Sequence, residues 1–202
     1  MINEQEVAFY NDSGYLVVDD IYSPEEVAEM RSVVDELVAA ASGLTDHDSV
    51  YDLEPSHTAE RPRVRRIKEM YNVHPLFRKM AEHPKLIAVL TKLLGPNLVL
   101  HGGKINIKAA EYGSPVEWHQ DWAFYPHTND DVLAIGVMLD DMTEENGPLL
   151  IAPGSHKGPT FDHHADGVFA GAIDPENCPV DFTKAGRVIG KAGACSFHHV
   201  RA

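Results

Sequence analysis

The chain has 202 residues, 44% of them hydrophobic, which suffices for one domain with a real core and is short for two. Seventeen Lys and Arg against 31 Asp and Glu leave a formal charge of −14, which opposes binding to a phosphate backbone and argues against a nucleic-acid partner. No apolar run approaches the roughly 18 to 20 residues that span a bilayer, Met1-Ile2-Asn3-Glu4 opens nothing like a signal peptide, and Cys178 and Cys195 are too few for a disulfide framework; a cytoplasmic protein with no membrane contact is expected.

From the N-terminus the organisation is helical first and β later, without repeats. Ser23 is a good N-cap, Pro24 suits the first turn and Glu26 completes a capping box, so a helix is predicted to about Ala41. Its Val27, Met30, Val34, Leu37 and Val38 fall on one stripe and read as core. Polar and breaker residues dominate 45–66, which predicts a long mobile segment serving as a lid, or disorder. The basic run 61–68 reads as a solvated face, with a local anion site as the alternative. Short helices are predicted at 75–82 and 84–94, the second ended by Gly95-Pro96. A helical part of about 1–95 thus precedes a β part of about 97–202, with strands predicted at 98–108, 116–121, 132–140, 149–151 and 194–200.

Within 98–108, Lys104, Asn106 and Lys108 share one face and Ile105 and Ile107 the other; the polar face either lines the interior, where Lys104 or Asn106 meets a carboxylate, or faces solvent. The chemistry concentrates in Trp118-His119-Gln120-Asp121. On a strand, His119 and Asp121 project to one side while Gln120 points away. An imidazole and a carboxylate, joined by a second imidazole from elsewhere, form the facial triad of non-haem Fe(II) oxygenases. A second copy, His164-Ala165-Asp166, lies among Gly, Asp and His and reads as a surface loop. Past the motif, Trp122, Phe124 and Tyr125 read as a substrate wall or as barrel core, and His127 as a loop residue. The turns Asn146-Gly147-Pro148 and Pro153-Gly154-Ser155 support the fold without performing chemistry.

Several motifs in order, Gly14-Tyr15-Leu16-Val17-Val18, Ser23-Pro24-Glu25-Glu26-Val27, Ser114 to Asp121, Phe124-Tyr125-Pro126, Asn146-Gly147-Pro148-Leu149 and Pro153-Gly154-Ser155-His156-Lys157, resemble the phytanoyl-CoA dioxygenase (PhyH) family over nearly the whole chain. The resemblance implies a mainly β fold with N-terminal helices, a double-stranded β-helix or jelly roll, in one domain over 1–202. It implies an enzyme using Fe(II), 2-oxoglutarate and O2, with ascorbate supportive, to hydroxylate an unactivated C–H bond of a small organic or acyl substrate. His119 and Asp121 are the implied iron ligands; Lys104 matches a place bordering 2-oxoglutarate, and Lys68 another. Neither iron ligand acts as a general acid or base, so no separate catalytic residue is assigned. The family's distal iron His falls about two residues beyond Ala202 and its 2-oxoglutarate Arg further on, so the chain reads as C-terminally truncated, its last strands missing. His198 or His199 is the alternative third ligand; His198 shares a face with the expected one but lies roughly 20 Å from it along the strand, so only a shifted register brings it to the metal. Ala194 stands where the family often carries Asp, a departure bearing on turn geometry. The alternatives are a non-catalytic jelly-roll protein and, less favoured, a zinc hydrolase drawing on the spare pair His163-His164.

Overall fold

Asn3 opens the first helix, α1 (Glu4–Ser13), through a capping box: its Oδ1 accepts from the Gln5 and Glu6 amides, and Glu6 Oε2 accepts from the Asn3 amide at 2.7 Å. The structure is a computed structural model and describes residues 2–109, 111, 113–125 and 127–202. Gly14 ends α1 in the left-handed region, and β1 (Tyr15–Val18) follows at once. The predicted capping box of α2 (Pro24–Ala40) forms, with Ser23 Oγ accepting from the Glu26 amide at 3.3 Å and Glu26 Oε2 from the Ser23 amide at 2.8 Å. Val27, Met30 and Val33 are its buried residues, and Val34 and Leu37 pack against the same core.

The segment 45–66 is ordered, contrary to the expectation of a mobile lid. β2 (Tyr51–Leu53) pairs antiparallel with β3 (Val64–Lys68), and their Tyr51, Leu53, Val64 and Ile67 close with Ala41 into a core cluster of their own. Asp48 starts the segment by accepting from the Val50 and Tyr51 amides at 2.8 and 2.6 Å. So few apolar positions among polar neighbours give no strand signal; the partner strand supplies the order.

After α3 (Met70–Val73), the predicted helices appear as α4 (Pro75–Ala81) and α5 (Pro84–Leu94), the latter ended by Gly95. The predicted strand 98–108 condenses to β4 (Lys104–Asn106), which pairs with β3 so that Lys68 lies opposite Lys104 and Arg66 opposite Asn106. Ile105 and Ile107 pack against the core, while Lys104 and Asn106 are exposed. The rest comprises β5 (Leu133–Val137), β6 (Leu150–Ile151), the hairpin β7 (His164–Ala165) with β8 (Val168–Phe169), β9 (Gly186–Arg187) and β10 (Cys195–His199).

β10 runs between β1 and β5, antiparallel to both, with His198 opposite Tyr15 on one side and Ala134 on the other. A boundary at 95 therefore does not separate helices from sheet, because β1, β2 and β3 of the N-terminal part all join the sheets. Gly193, at φ +93°, turns the chain into β10; a Cβ there would stand 2.5 Å from the Tyr22 carbonyl oxygen. Along β10 the faces alternate. Cys195 and Phe197 enter the main core, fully buried, a Phe so placed stabilising by roughly 1.5–3 kcal/mol, while Ser196 and His198 project to the other side.

Candidate metal centre

The stretch 116–121, expected as a strand, makes no ladder; Asp121–Phe124 is instead a 3-10 turn. His119 and Asp121 nevertheless meet, because Gln120 between them is extended, φ −110° and ψ 128°, and sends the flanking side chains one way and its own the other. His119 Nε2 lies 3.4 Å from Asp121 Oδ1. Two donors at right angles on one ion, each about 2.1 Å away, stand about 3 Å apart, so the pair fits two positions of a metal's coordination sphere. His119 Nδ1 donates to the Glu117 carbonyl at 2.8 Å, the outer contact that leaves Nε2 for a metal.

His198 is the correction of greatest consequence. Expected roughly 20 Å along the strand from the distal ligand position, and at the metal only through a shifted register, it has its Nε2 3.3 Å from Asp121 Oδ2. The motif segment docks beside the end of β10 rather than further along, with Trp122 N–H donating to the Val200 carbonyl at 2.7 Å and Gln120 Nε2 to the Arg201 carbonyl at 2.8 Å. The two imidazoles take opposite oxygens of one carboxylate, and among the described residues no group of three His, Cys, Asp or Glu side chains is arranged to hold a metal. Nδ1 of His198, unlike that of His119, is buried with no hydrogen-bond partner among the described residues.

Burial works against the Asp121 carboxylate, but the hydrogen bonds and charges of His119 and His198 outweigh it and hold the carboxyl well below the usual carboxylate range. The same hydrogen bond raises the proton affinity of His119 against burial, and the nearby Lys104 ammonium lowers it. Tyr125 is pushed up, first by burial and then by the Asp121 charge. Phe124 stands edge-on to the His119 ring at 5.8 Å and to Phe169 at 5.2 Å, half exposed beside the pair. Trp118 stacks on Phe182 at 4.4 Å. His127 packs with His101 and Tyr125, and Pro126 lies outside the described residues.

Of the lysines, Lys104 borders the site, close enough for its charge to act on His119. Lys68, its cross-strand neighbour, is held by Asp52 at 2.9 Å and the Asp48 carbonyl at 2.7 Å.

The residues that sequence reasoning missed are those that hold the motif. Gln120 is 2% exposed and saturated: Oε1 accepts from Phe161 N–H at 2.8 Å while Nε2 donates to the Pro159 and Arg201 carbonyls. Its backbone N–H donates to Nε2 of His163, equally buried, at 2.9 Å. Upstream, buried Glu54 accepts from the Ser114 amide at 3.1 Å and hydroxyl at 2.6 Å. Burial pushes the Glu54 carboxyl up, and the Ser114 bonds with the Arg65 and Lys108 charges more than reverse this, leaving it lowered. A polar residue between two candidate ligands, with a spare His downstream, was the only sequence signal for any of these.

Short antiparallel sheets thus carry a His and an Asp two residues apart whose donor atoms face each other, the pairing that two of the three ligands of a non-haem iron facial triad make. The chain belongs to the phytanoyl-CoA dioxygenase (PhyH) family, whose match covers residues 10–202. It is 37% identical over 196 residues to a Stutzerimonas stutzeri protein named "Probable alpha-ketoglutarate-dependent hypophosphite dioxygenase", covering 95% of this chain and 68% of that protein. To the ectoine dioxygenase of Sphingopyxis alaskensis it is 29% identical over 177 residues, 81% of this chain and 55% of that one. The crystal structure of EctD from S. alaskensis with 2-oxoglutarate and 5-hydroxyectoine superposes with a TM-score of 0.81 at 25% identity, covering 99% of this chain and 68% of that one. The chain thus spans between about half and two thirds of the length of these relatives.

Proposed function

We propose that this protein is an Fe(II)- and 2-oxoglutarate-dependent dioxygenase that hydroxylates a small molecule at a bond to hydrogen, with His119 and Asp121 as two protein ligands of the iron. The observation that carries the reading is the approach of His119 Nε2 to Asp121 Oδ1, 3.4 Å apart, with the imidazole oriented by Glu117. When bound, iron and 2-oxoglutarate supply the oxidising chemistry, with dioxygen consumed and succinate and carbon dioxide released.

The chain's own residues bind and orient. Asp121 stays ionised across the physiological range because both neighbouring imidazoles stabilise its charge. His198 holds the outer oxygen of that carboxylate, leaving the inner one to face the metal with His119. Lys104 brings an ammonium to the edge of the site, where it attracts a cosubstrate carboxylate, and Lys68 opposite adds to the same positive field while tied to Asp52. Phe124, edge-on to His119 and backed by Phe169, gives the site an apolar edge against which a substrate can pack.

The substrate is proposed to be a small organic or acyl molecule: the relatives are named for ectoine and for hypophosphite, and the family for phytanoyl-CoA. No membrane or nucleic-acid partner is proposed; among the described residues no helix is long and apolar enough to cross a membrane. Residues 1–202 are proposed to act as one domain, a jelly roll, since β1 pairs with β10. Cys178 and Cys195 are free thiols, which suits the reducing cytoplasm proposed for it.

The test is anaerobic loading with Fe(II) and 2-oxoglutarate, then air, with hypophosphite, ectoine and acyl-CoA esters offered separately, with and without ascorbate. Substrate-coupled succinate formation that ascorbate sustains is expected with one of them, and no 2-oxoglutarate turnover with or without any candidate would overturn the reading.

A further inference from the structure

We propose that His163 is a positioning residue for the iron site: its Nε2 holds the backbone of Gln120, and with it the directions of His119 and Asp121. The inference rests on the iron-site reading given above. His163 Nδ1 lies 2.9 Å from the Phe161 carbonyl oxygen, a partner that only an N–H can satisfy. Nε2 is therefore bare, and it accepts the Gln120 amide N–H at 2.9 Å, across 43 residues of chain. One neutral tautomer satisfies both contacts, and both residues are 2% exposed, so no water replaces either partner.

The angle between the two ligands depends on φ and ψ of Gln120, and its amide is the backbone group between them that a side chain grips. His163 is itself fixed, its carbonyl accepting from Ala170 and Gly171 at 2.8 and 3.1 Å, at the base of the β7–β8 hairpin. The neighbouring residues of the same segment complete the hold: Ile173 N–H donates to the Trp118 carbonyl at 2.7 Å, and Phe161 N–H to Gln120 Oε1. The stretch 159–173 thus forms a cradle for the motif, and His163 is the side chain in it that reaches the motif's backbone. The ring packs edge-on against Phe124 at 6.4 Å, so two contributions, an acceptor and a ring, must be told apart.

The experiment compares His163→Gln, which keeps an acceptor without the ring, with His163→Phe, which keeps a ring without the acceptor. Co(II) affinity is read from its ligand-field absorption, and exchange of the Gln120 amide proton is followed by NMR in the same samples. His163→Phe is expected to weaken Co(II) binding roughly 10- to 100-fold, the usual effect of losing an outer partner of a metal site, and to speed exchange at Gln120; His163→Gln should restore most of both. Equal Co(II) affinity in wild type and His163→Phe, or a loss in His163→Gln as large as in His163→Phe, overturns the assignment. If either variant fails to fold, wild-type exchange decides: a Gln120 amide no slower than its exposed neighbours overturns it, and a strongly protected one upholds it. His119→Ala serves as the separate control, since Co(II) binding unaffected by it refutes the iron-site reading itself rather than the role of His163.

Discussion

The chain contains His-x-Asp twice, and the two copies take unlike structures. In His119-Gln120-Asp121 the central residue is extended and buried, and the outer two converge half-buried at 3.4 Å. In His164-Ala165-Asp166 the central residue is exposed, Asp166 sits at φ +51° and Gly167 at φ +77°, and these two form the turn joining β7 to β8. His164 there turns back to Asp162, 2.7 Å away, rather than to Asp166. An Asp-Gly pair between short strands prefers the left-handed turn that separates the motif's ends. The spacing is therefore only permissive; a buried, satisfied central residue is what makes the ends converge.

The sharpest break between the copies is chemical. Asp121→Ala should abolish substrate-coupled succinate formation, whereas Asp166→Ala should leave it unchanged; equal rates in the two variants would erase the distinction. Next comes stability. Gln120→Ala leaves the Phe161 N–H and the Pro159 and Arg201 carbonyls unpaired and should cost about 2–4 kcal/mol in urea unfolding, while Ala165→Gln on the exposed copy should stay within about 0.5 kcal/mol.

His198→Ala removes the partner of the outer Asp121 oxygen and should weaken Co(II) binding about tenfold, with His164→Ala inert in the same titration. A loss as complete as that of His119→Ala would instead make His198 a direct ligand.

The smallest effect concerns the tether upstream of the first copy. Glu54 has its carboxyl held below the ordinary Glu value in the fold, so its contribution is present above that ordinary value and is lost as pH falls through the folded one. Stability of the wild type should accordingly drop faster on acidification than that of Glu54→Gln, measured as thermal midpoints from neutral pH down to about pH 3, and parallel curves would remove Glu54 from the tether.

Local signals were legible where a few adjacent residues decide the outcome. The Ser23–Glu26 capping box, the starts of α4 and α5 at Pro75 and Pro84, and the stop at Gly95 all depend on groups within one helical turn. His119 and Asp121 were legible too, although for a reason that needed amendment, since an isolated extended residue rather than a strand aligns them. Strand limits were less legible: 98–108 shortened to Lys104–Asn106, and β2 and β3 gave no usable pattern, because a ladder needs a partner that the local sequence does not name.

What the sequence by itself determined is the family, through ordered motifs, and, through the His-x-Asp spacing, that His119 and Asp121 point to one side. Only the tertiary structure decided that His198 meets the far oxygen of Asp121, that Glu54 reaches Ser114, and that His163 grips Gln120. These contacts join segments far apart in the chain, and their physical origin is the demand of buried polar groups for partners. Which partner answers depends on how the loops cross the end of β10, which no local pattern encodes.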